Sequence, residues 1–375
     1  MDAIQIPLLQ NMYGHLRQGA LLALFVPFAA KYCRHYVAMG NTRPPILTAA
    51  DADVYRDNIY GYTPAPQKKT FVALPAIKIR EDTAPEIVLE AIQRGYKLFK
   101  LYPLAKTTHA DDGIQNYFCK NLRACYEIIA EHGGYALFHP EHPGKRWDDT
   151  ECEYAFFGIF EAIYNLVPKL NMVWEHLTDT RVLPYLLDMQ ARVACTVTIH
   201  HLMLRLNDVL GKNHHLCRPP AKMLRDVEVL RDYVTHGRSE RIMLGLDDAP
   251  HDLAHKECAH ASCGVWTMPI APQLIVQVFD EERVLIEQES AGIKALEQFV
   301  ARNAERYYGL SPSYPPNISK SRLVLHRQPY LVPDAYRLDT TCGCNAIIPI
   351  REKPLPTDFV PFMAGQTLPW SVVGK

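Results

Sequence analysis

Phe71–Pro103 reads FVALPAIKIREDTAPEIVLEAIQRGYKLFKLYP. It opens on an apolar run of strand length, Phe71–Ile79. A helical pattern follows over Ala84–Arg94, with Glu90 and Arg94 at i,i+4 spacing on one face. A second apolar run, Lys97–Pro103 (KLFKLYP), closes the stretch. Strand, helix and strand in that order imply two parallel strands joined by a crossover helix.

The same alternation continues on both sides. Upstream lie apolar runs at Ile4–Leu9, extending toward His15, and at His35–Asn41. Downstream lie Tyr135–Glu141, Leu170–His176, Val193–His201 and Ile242–His251. Helical patterns occupy Lys120–His132, Thr180–Gln190 and Met223–His236. Eight strands, each followed by a helix-sized stretch, predict an α/β fold of the (β/α)8 TIM-barrel type over an open doubly wound sheet. Polar residues end the apolar runs: His15, Asn41, Lys100, His139, His176, His200 or His201, and Asp247. In a barrel these ends meet on one face, where catalytic groups collect.

Beyond His251 the pattern loosens. Glu282–Tyr308 reads as one or two extra helices outside the barrel. Ser311–Thr357 is proline-rich and irregular, with Cys342 and Cys344, and reads as a surface segment or insertion. The last stretch turns apolar again. The expected organisation is a barrel over 1–310, an irregular segment over 311–357 and a docking segment over 358–375.

Composition bounds the partners. The 375 residues suffice for one large α/β domain or two smaller ones, and 48% are apolar, enough for a large core. Forty basic residues against 41 acidic ones give a net charge of −1. That argues against a nucleic-acid or anionic-membrane partner. Ten cysteines at irregular spacing predict reduced thiols and a cytoplasmic protein. The apolar run Ala20–Ala30 is too short to span a bilayer and lacks a basic leader, so it predicts a buried barrel helix.

One stretch carries chemistry. Asn11–Arg17 reads NMYGHLR. A strand ending in His-x-His offers two imidazoles to one cavity, because side chains two apart share a face. Here the first imidazole is replaced by Tyr13 and the second is His15. Lys100, His139, His176 and Asp247 supply the partners. Imidazoles and a carboxylate suit zinc in an open geometry. Lys100 fits such a set only if carbamylated, since an ammonium repels a cation.

Longer motifs carry a family resemblance. They are HLRQG at 15–19, GNTRPP at 40–45, KLYPLAKTT at 100–108 and HPE at 139–141. WEHLT at 174–178, TIHHLM at 198–203, GLDDAPHDLAHKE at 245–257 and VPFMAGQTLPWSV at 360–372 continue the set. The chain resembles the dihydroorotases of the amidohydrolase superfamily, in particular the shorter, dimeric bacterial type. The resemblance implies a metal-dependent hydrolase that reversibly opens a C–N bond of dihydroorotate or a related cyclic amide or ureide bearing a carboxylate. It also implies a homodimer. Lys100 matches the carbamylated bridging lysine, and His139 and His176 the ligands of the more exposed metal. Asp247 matches a ligand of the first metal that also shuttles a proton, and His15 the second clamp histidine. Arg17, Asn41 and His251 match residues that hold the substrate carboxylate. Thr107 and Thr108 match a loop that closes over it.

Four positions depart from the family: Tyr13, Pro140 after His139, Leu246 before Asp247, and Arg218 in CRPP at 217–220. Arg218 reads either as a substrate-binding guanidinium for an extra anionic group or as a surface arginine. Tyr13 leaves three states open. Two metals bind, with Tyr13 giving a phenolate or hydrogen-bonding a metal-bound water, one binds at His139 and His176, or none binds. A phenolate costs about 4 kcal/mol at pH 7, so one zinc is favoured over two. Asp247 is then free as base, and Tyr13 joins it as a candidate catalytic residue. Two rivals remain: an inactive homologue serving as a structural or binding partner, and a decarboxylase on the same barrel. Cys258 and Cys263, with His255 and His260 nearby, fit no common zinc spacing.

Overall fold

The computed structural model describes residues 1–108, 110–312, 322–340 and 345–374. The N-terminal apolar run is two strands, not one. β1 (Ala3–Pro7) ends at a proline, which has no N–H to offer a ladder. It pairs antiparallel with Arg322–His326, which pairs in turn with Ser371–Gly374. The barrel begins only at β2 (Leu9–Gly14).

β2, β3 (Cys33–Ala38) and β4 (Val72–Pro75) pair in parallel in that order. β5 (Ile77–Ile79) continues β4 beyond Ala76 and pairs in parallel with β6 (Leu98–Leu101). The ladder runs on through β7 (Tyr135–Phe138), β8 (Asn171–Trp174) and β9 (Val193–Val197) to β10 (Ile242–Leu244). With β4 and β5 as one interrupted strand, the parallel set has eight members. It closes where the Asp247 amide donates to the Tyr13 carbonyl at 2.9 Å and Gly14 bridges to Asp248. This is the expected (β/α)8 barrel.

Helices alternate with the strands: α1 (Leu22–Tyr32), α2 (Ala49–Tyr62), α3 (Pro85–Gln93), α4 (Lys120–Glu131) and α5 (Cys152–Leu166). α6 (Leu183–Asp188), α7 (Leu206–Val209) and α8 (Leu224–Thr235) follow. α1 is the buried helix predicted from Ala20–Ala30. α2 has a weak apolar pattern and was not foreseen. Its start is set by the Thr48–Asp51 capping box, which satisfies amides at the first turn. Among the described residues, no helix is long and apolar enough to cross a membrane.

The core has two parts. A large layer lies between strands and helices. A smaller one fills the barrel with Met12, Val37, Leu98, Leu137, Val173, Ala194 and Met243, and Ala304 joins it from the helix Asn303–Tyr308. Strands buried on both faces read as continuous apolar runs, as β6 to β10 do. Side chains two apart along a strand share a face. Leu98 therefore puts Lys100 in the next layer up, Leu137 puts His139 there, and Val173 puts Glu175 there.

The stretch 311–357 lies partly outside the described residues, Cys342 and Cys344 included. Its described part holds the strand Arg322–His326 and the antiparallel pair Ala335–Asp339 with Ala346–Ile350. Short strands interrupted by proline lack the periodicity that would reveal them in sequence.

Candidate active site

At the C-terminal end of the barrel, β2 delivers Tyr13, His15 and Arg17. A Cβ on Gly14 would overlap the Tyr36 hydroxyl, so glycine is needed between Tyr13 and His15. Tyr13 is buried, with its ring edge-on to His15 at 5.5 Å and to His176 at 5.0 Å. Burial first, then the Tyr102 phenol and the Asp247 and Glu175 carboxylates, push its pKa well above the ordinary phenol value. Tyr13 is thus a neutral phenol in this setting.

Lys100 lies deeper and is fully buried. Its ammonium nitrogen sits 4.8 Å from the Tyr13 ring centroid and 4.9 Å from that of Tyr102. It has no hydrogen-bond partner. Burial lowers its pKa to about 7, opposed by Glu175 and Asp247. A neutral amine is the form that adds carbon dioxide, so this lysine suits carbamylation. Glu175, buried beside it, is raised by burial to about 7. One Glu175 oxygen accepts from the Thr196 hydroxyl at 2.6 Å.

Two pairs of ligand atoms flank Lys100. His139 Nδ1 and His176 Nε2 face each other at 3.1 Å. The opposite nitrogen of His139 meets the buried Glu141 carboxylate at 2.8 Å. A carboxylate on the outer nitrogen leaves the inner one deprotonated and oriented, the usual second-layer support of a metal-binding histidine. The other pair is His15 Nε2 and Asp247 Oδ1, 3.3 Å apart. Burial raises the Asp247 pKa well above the carboxylate range, opposed by Lys100. Asp247 and His176 have left-handed backbones, φ 46° and 38°. At His176 this matters. Strand alternation points Glu175 inward, and the turn at His176 brings the next side chain in as well.

Arg17 is also left-handed, φ 62°. Its guanidinium donates to the Pro250 carbonyl at 3.0 and 2.8 Å and lies 3.0 Å from His251 Nε2. Burial lowers its pKa to about 10. The Asn41 amide donates to the Thr108 carbonyl at 3.3 Å, and the Thr108 hydroxyl to the Cys263 carbonyl at 3.5 Å. Arg218 is mostly buried, with Nη1 at 2.6 Å from Asp149 and 3.7 Å from Glu141.

Tyr13, His15, Arg17, Asn41, Thr107, Thr108, His139, Arg218, Asp247 and His251 line one cavity, with Ala249, Cys263 and Gly264. Lys100 and His176 lie in the layer beneath. The enclosed space is about 20 Å³, room for little more than one water. The residues fit a metal in part. His139, His176 and a carbamate on Lys100 would make three ligands, and His15, Asp247 and the same carbamate would make three more. Without the carbamate the two pairs stay separate. Sequence reading missed Glu141, Glu175, Tyr102, Asp149 and Cys263. Glu141 and Glu175 stand within two residues of a candidate ligand histidine, which was the available signal.

Another group of ligand atoms is closer-set. Among the described residues, the one set of three His, Cys, Asp or Glu atoms within 4.8 Å of one another is His200, His201 and Cys217.

No family model matches the chain. Curated relatives do. A dihydroorotase of Halorhodospira halophila is 33% identical over 379 residues, covering 99% of each chain. A dihydroorotase of Neisseria meningitidis is 31% identical over 376 residues, again covering 99% of each. Among solved structures, the Saccharomyces cerevisiae dihydroorotase in complex with 5-fluoroorotic acid matches with a TM-score of 0.83 at 23% identity. That match covers 100% of this chain and 99% of the other, and it supports the barrel fold.

Proposed function

The chain belongs to the dihydroorotase family, and on that premise we propose that it opens and closes a carboxylate-bearing cyclic ureide such as dihydroorotate. The family consists of metal-dependent cyclic amide hydrolases. One observation carries the reading to this chain. Arg17, paired with His251, opens into the same small cavity as His15 and Asp247. The same guanidinium ties β2 to the loop after β10 through the Pro250 carbonyl, and its place beside a proton carrier suits a substrate carboxylate.

Zinc is the metal proposed, one per chain rather than two, with Lys100 carbamylated. His139 and His176 hold it together with the carbamate. A second ion would need His15 and Asp247 to do without the imidazole that Tyr13 replaces. A bound metal supplies an acidified water and polarises the carbonyl under attack.

The chain's own residues do the rest. Arg17, Asn41 and His251 bind the ring carboxylate and fix which carbonyl faces Asp247. Asp247 takes the proton from the attacking water and returns it to the departing ring nitrogen as the C–N bond breaks. Glu141 keeps His139 in the ligating tautomer. Thr107 and Thr108 cover the cavity, and a ring cannot enter about 20 Å³ until they move. Arg218, ion-paired to Asp149, borders the same space and is proposed to face a polar edge of the substrate. The family resemblance supports a homodimer working in the cytoplasm.

The test is ring opening and closing of dihydroorotate, followed in both directions on protein of measured metal content. Metal uptake with turnover is the expected result. Metal-free protein with an unmodified Lys100 and no turnover would sink the reading.

A further inference from the structure

Beside the mouth, at the end of β9, lies a set of side chains that the reaction does not use. His200 and His201 share one turn (His200–Leu202) that follows β9. Cys217 comes from the segment between that turn and α8. All three are buried, and one ligand atom from each lies within 4.8 Å of the other two. None of them lines the active-site cavity.

The distances suit one ion. Cys217 Sγ is 3.4 Å from His201 Nε2. On a tetrahedral zinc, Zn–S of about 2.3 Å and Zn–N of about 2.0 Å put two such ligands roughly 3.5 Å apart. His201 Nδ1 lies 2.8 Å from the Thr198 hydroxyl. With Nδ1–H donating there, Nε2 turns its lone pair toward Cys217, the support expected of a ligating histidine. The Pro219 carbonyl, 3.2 Å from the same Nε2, accepts the proton in the other tautomer. His200 is the second, independent observation. Both of its ring nitrogens are buried and neither has a hydrogen-bond partner. Leaving a buried polar group unpaired is unfavourable. A metal would satisfy one of the two nitrogens.

We propose that His200, His201 and Cys217 bind one zinc-class divalent cation, with a fourth position for a small oxygen ligand. On binding, the Cys217 S–H bond breaks, an S–metal bond forms and the proton leaves to solvent. The neighbouring cation, Lys222, is paired with Glu153 at 3.1 Å. The ion is structural. It fastens the end of β9 to the segment that carries Arg218, the residue after Cys217.

Cobalt(II) is the probe, added to the reduced full-length chain. A thiolate-to-cobalt charge-transfer band should appear at about one equivalent. Cys217→Ser should abolish it. His200→Gln, which keeps the thiol and serves if the serine variant does not fold, should weaken cobalt binding at least about tenfold. Lys100→Ala and Cys263→Ser should each keep the band, because the mouth ligands include no thiol and Cys263 is the cysteine lining the cavity. No band in folded wild-type protein would overturn the site. So would a band that survives both Cys217→Ser and His200→Gln, or one lost in Cys263→Ser.

Discussion

The two ligand clusters at the C-terminal end of the barrel are built in opposite ways. At the mouth, the ligand atoms stand in two separate pairs, His139 with His176 and His15 with Asp247. The group between them, Lys100, must change chemically before it can join them. Each residue comes from a different strand. Beside β9, three ligand atoms already converge, and two of them are consecutive in the chain. The mouth cluster opens to a cavity and is coupled to charges that substrate and metal can alter. The second cluster is closed and coupled to packing. A catalytic site must keep a position open to substrate, whereas the buried cluster lies off the cavity and has no substrate to admit at its fourth position.

Several substitutions would break or sharpen that contrast. The largest effect belongs to Asp247→Asn, which keeps the shape and removes the proton carrier. Ring opening should fall about 10²–10⁴-fold, with the thermal midpoint of the folded protein maintained. Equal loss of both would make Asp247 a structural residue. Lys100→Met comes next. It removes a buried amine that has no hydrogen-bond partner, and the carbamate with it, so metal uptake at the mouth should be lost. The metal-free protein should be no less stable, by denaturant titration, since burying that amine costs free energy. Glu141→Gln leaves the ligands in place and removes the carboxylate behind His139. Mouth metal affinity should drop about 10–100-fold, read by competition with a chelator, while cobalt binding beside β9 is unaffected.

Tyr13 separates the metal count from the phenol. Tyr13→His should raise the bound metal by one ion, measured by elemental analysis. Tyr13→Phe should leave the count unchanged and alter stability by about 1 kcal/mol or less. Loss of metal in the phenylalanine variant would show that the phenol ligates. The smallest effect on turnover belongs to Cys217→Ser, which should reduce ring opening less than tenfold while lowering the thermal midpoint only when metal is present.

Much of the mouth was legible beforehand because polar residues end the apolar runs and the motifs around them carry a family resemblance. In the structure Lys100, His139 and Asp247 stand at even spacing beyond the barrel-interior positions Leu98, Leu137 and Met243. His176 was named as a strand end and from its motif, although alternation points Glu175 inward. Its left-handed backbone, which brings both in, leaves no mark in the apolar pattern. Cys217 lay in a polar stretch with no ligand spacing to flag it, and the paired histidines before it looked like one more strand end.

The sequence by itself determined the barrel, most of its strands, the residue types at the mouth and the replacement of an imidazole by Tyr13. These follow from periodicity and residue identity, which are local. Only the tertiary structure decided which groups meet. It set Glu141 behind His139, stood Lys100 between two phenol rings, drew Arg218 to Asp149 and brought Cys217 to His200 and His201. Such contacts depend on how loops after separate strands pack over the barrel end, and no spacing in one chain encodes that distance.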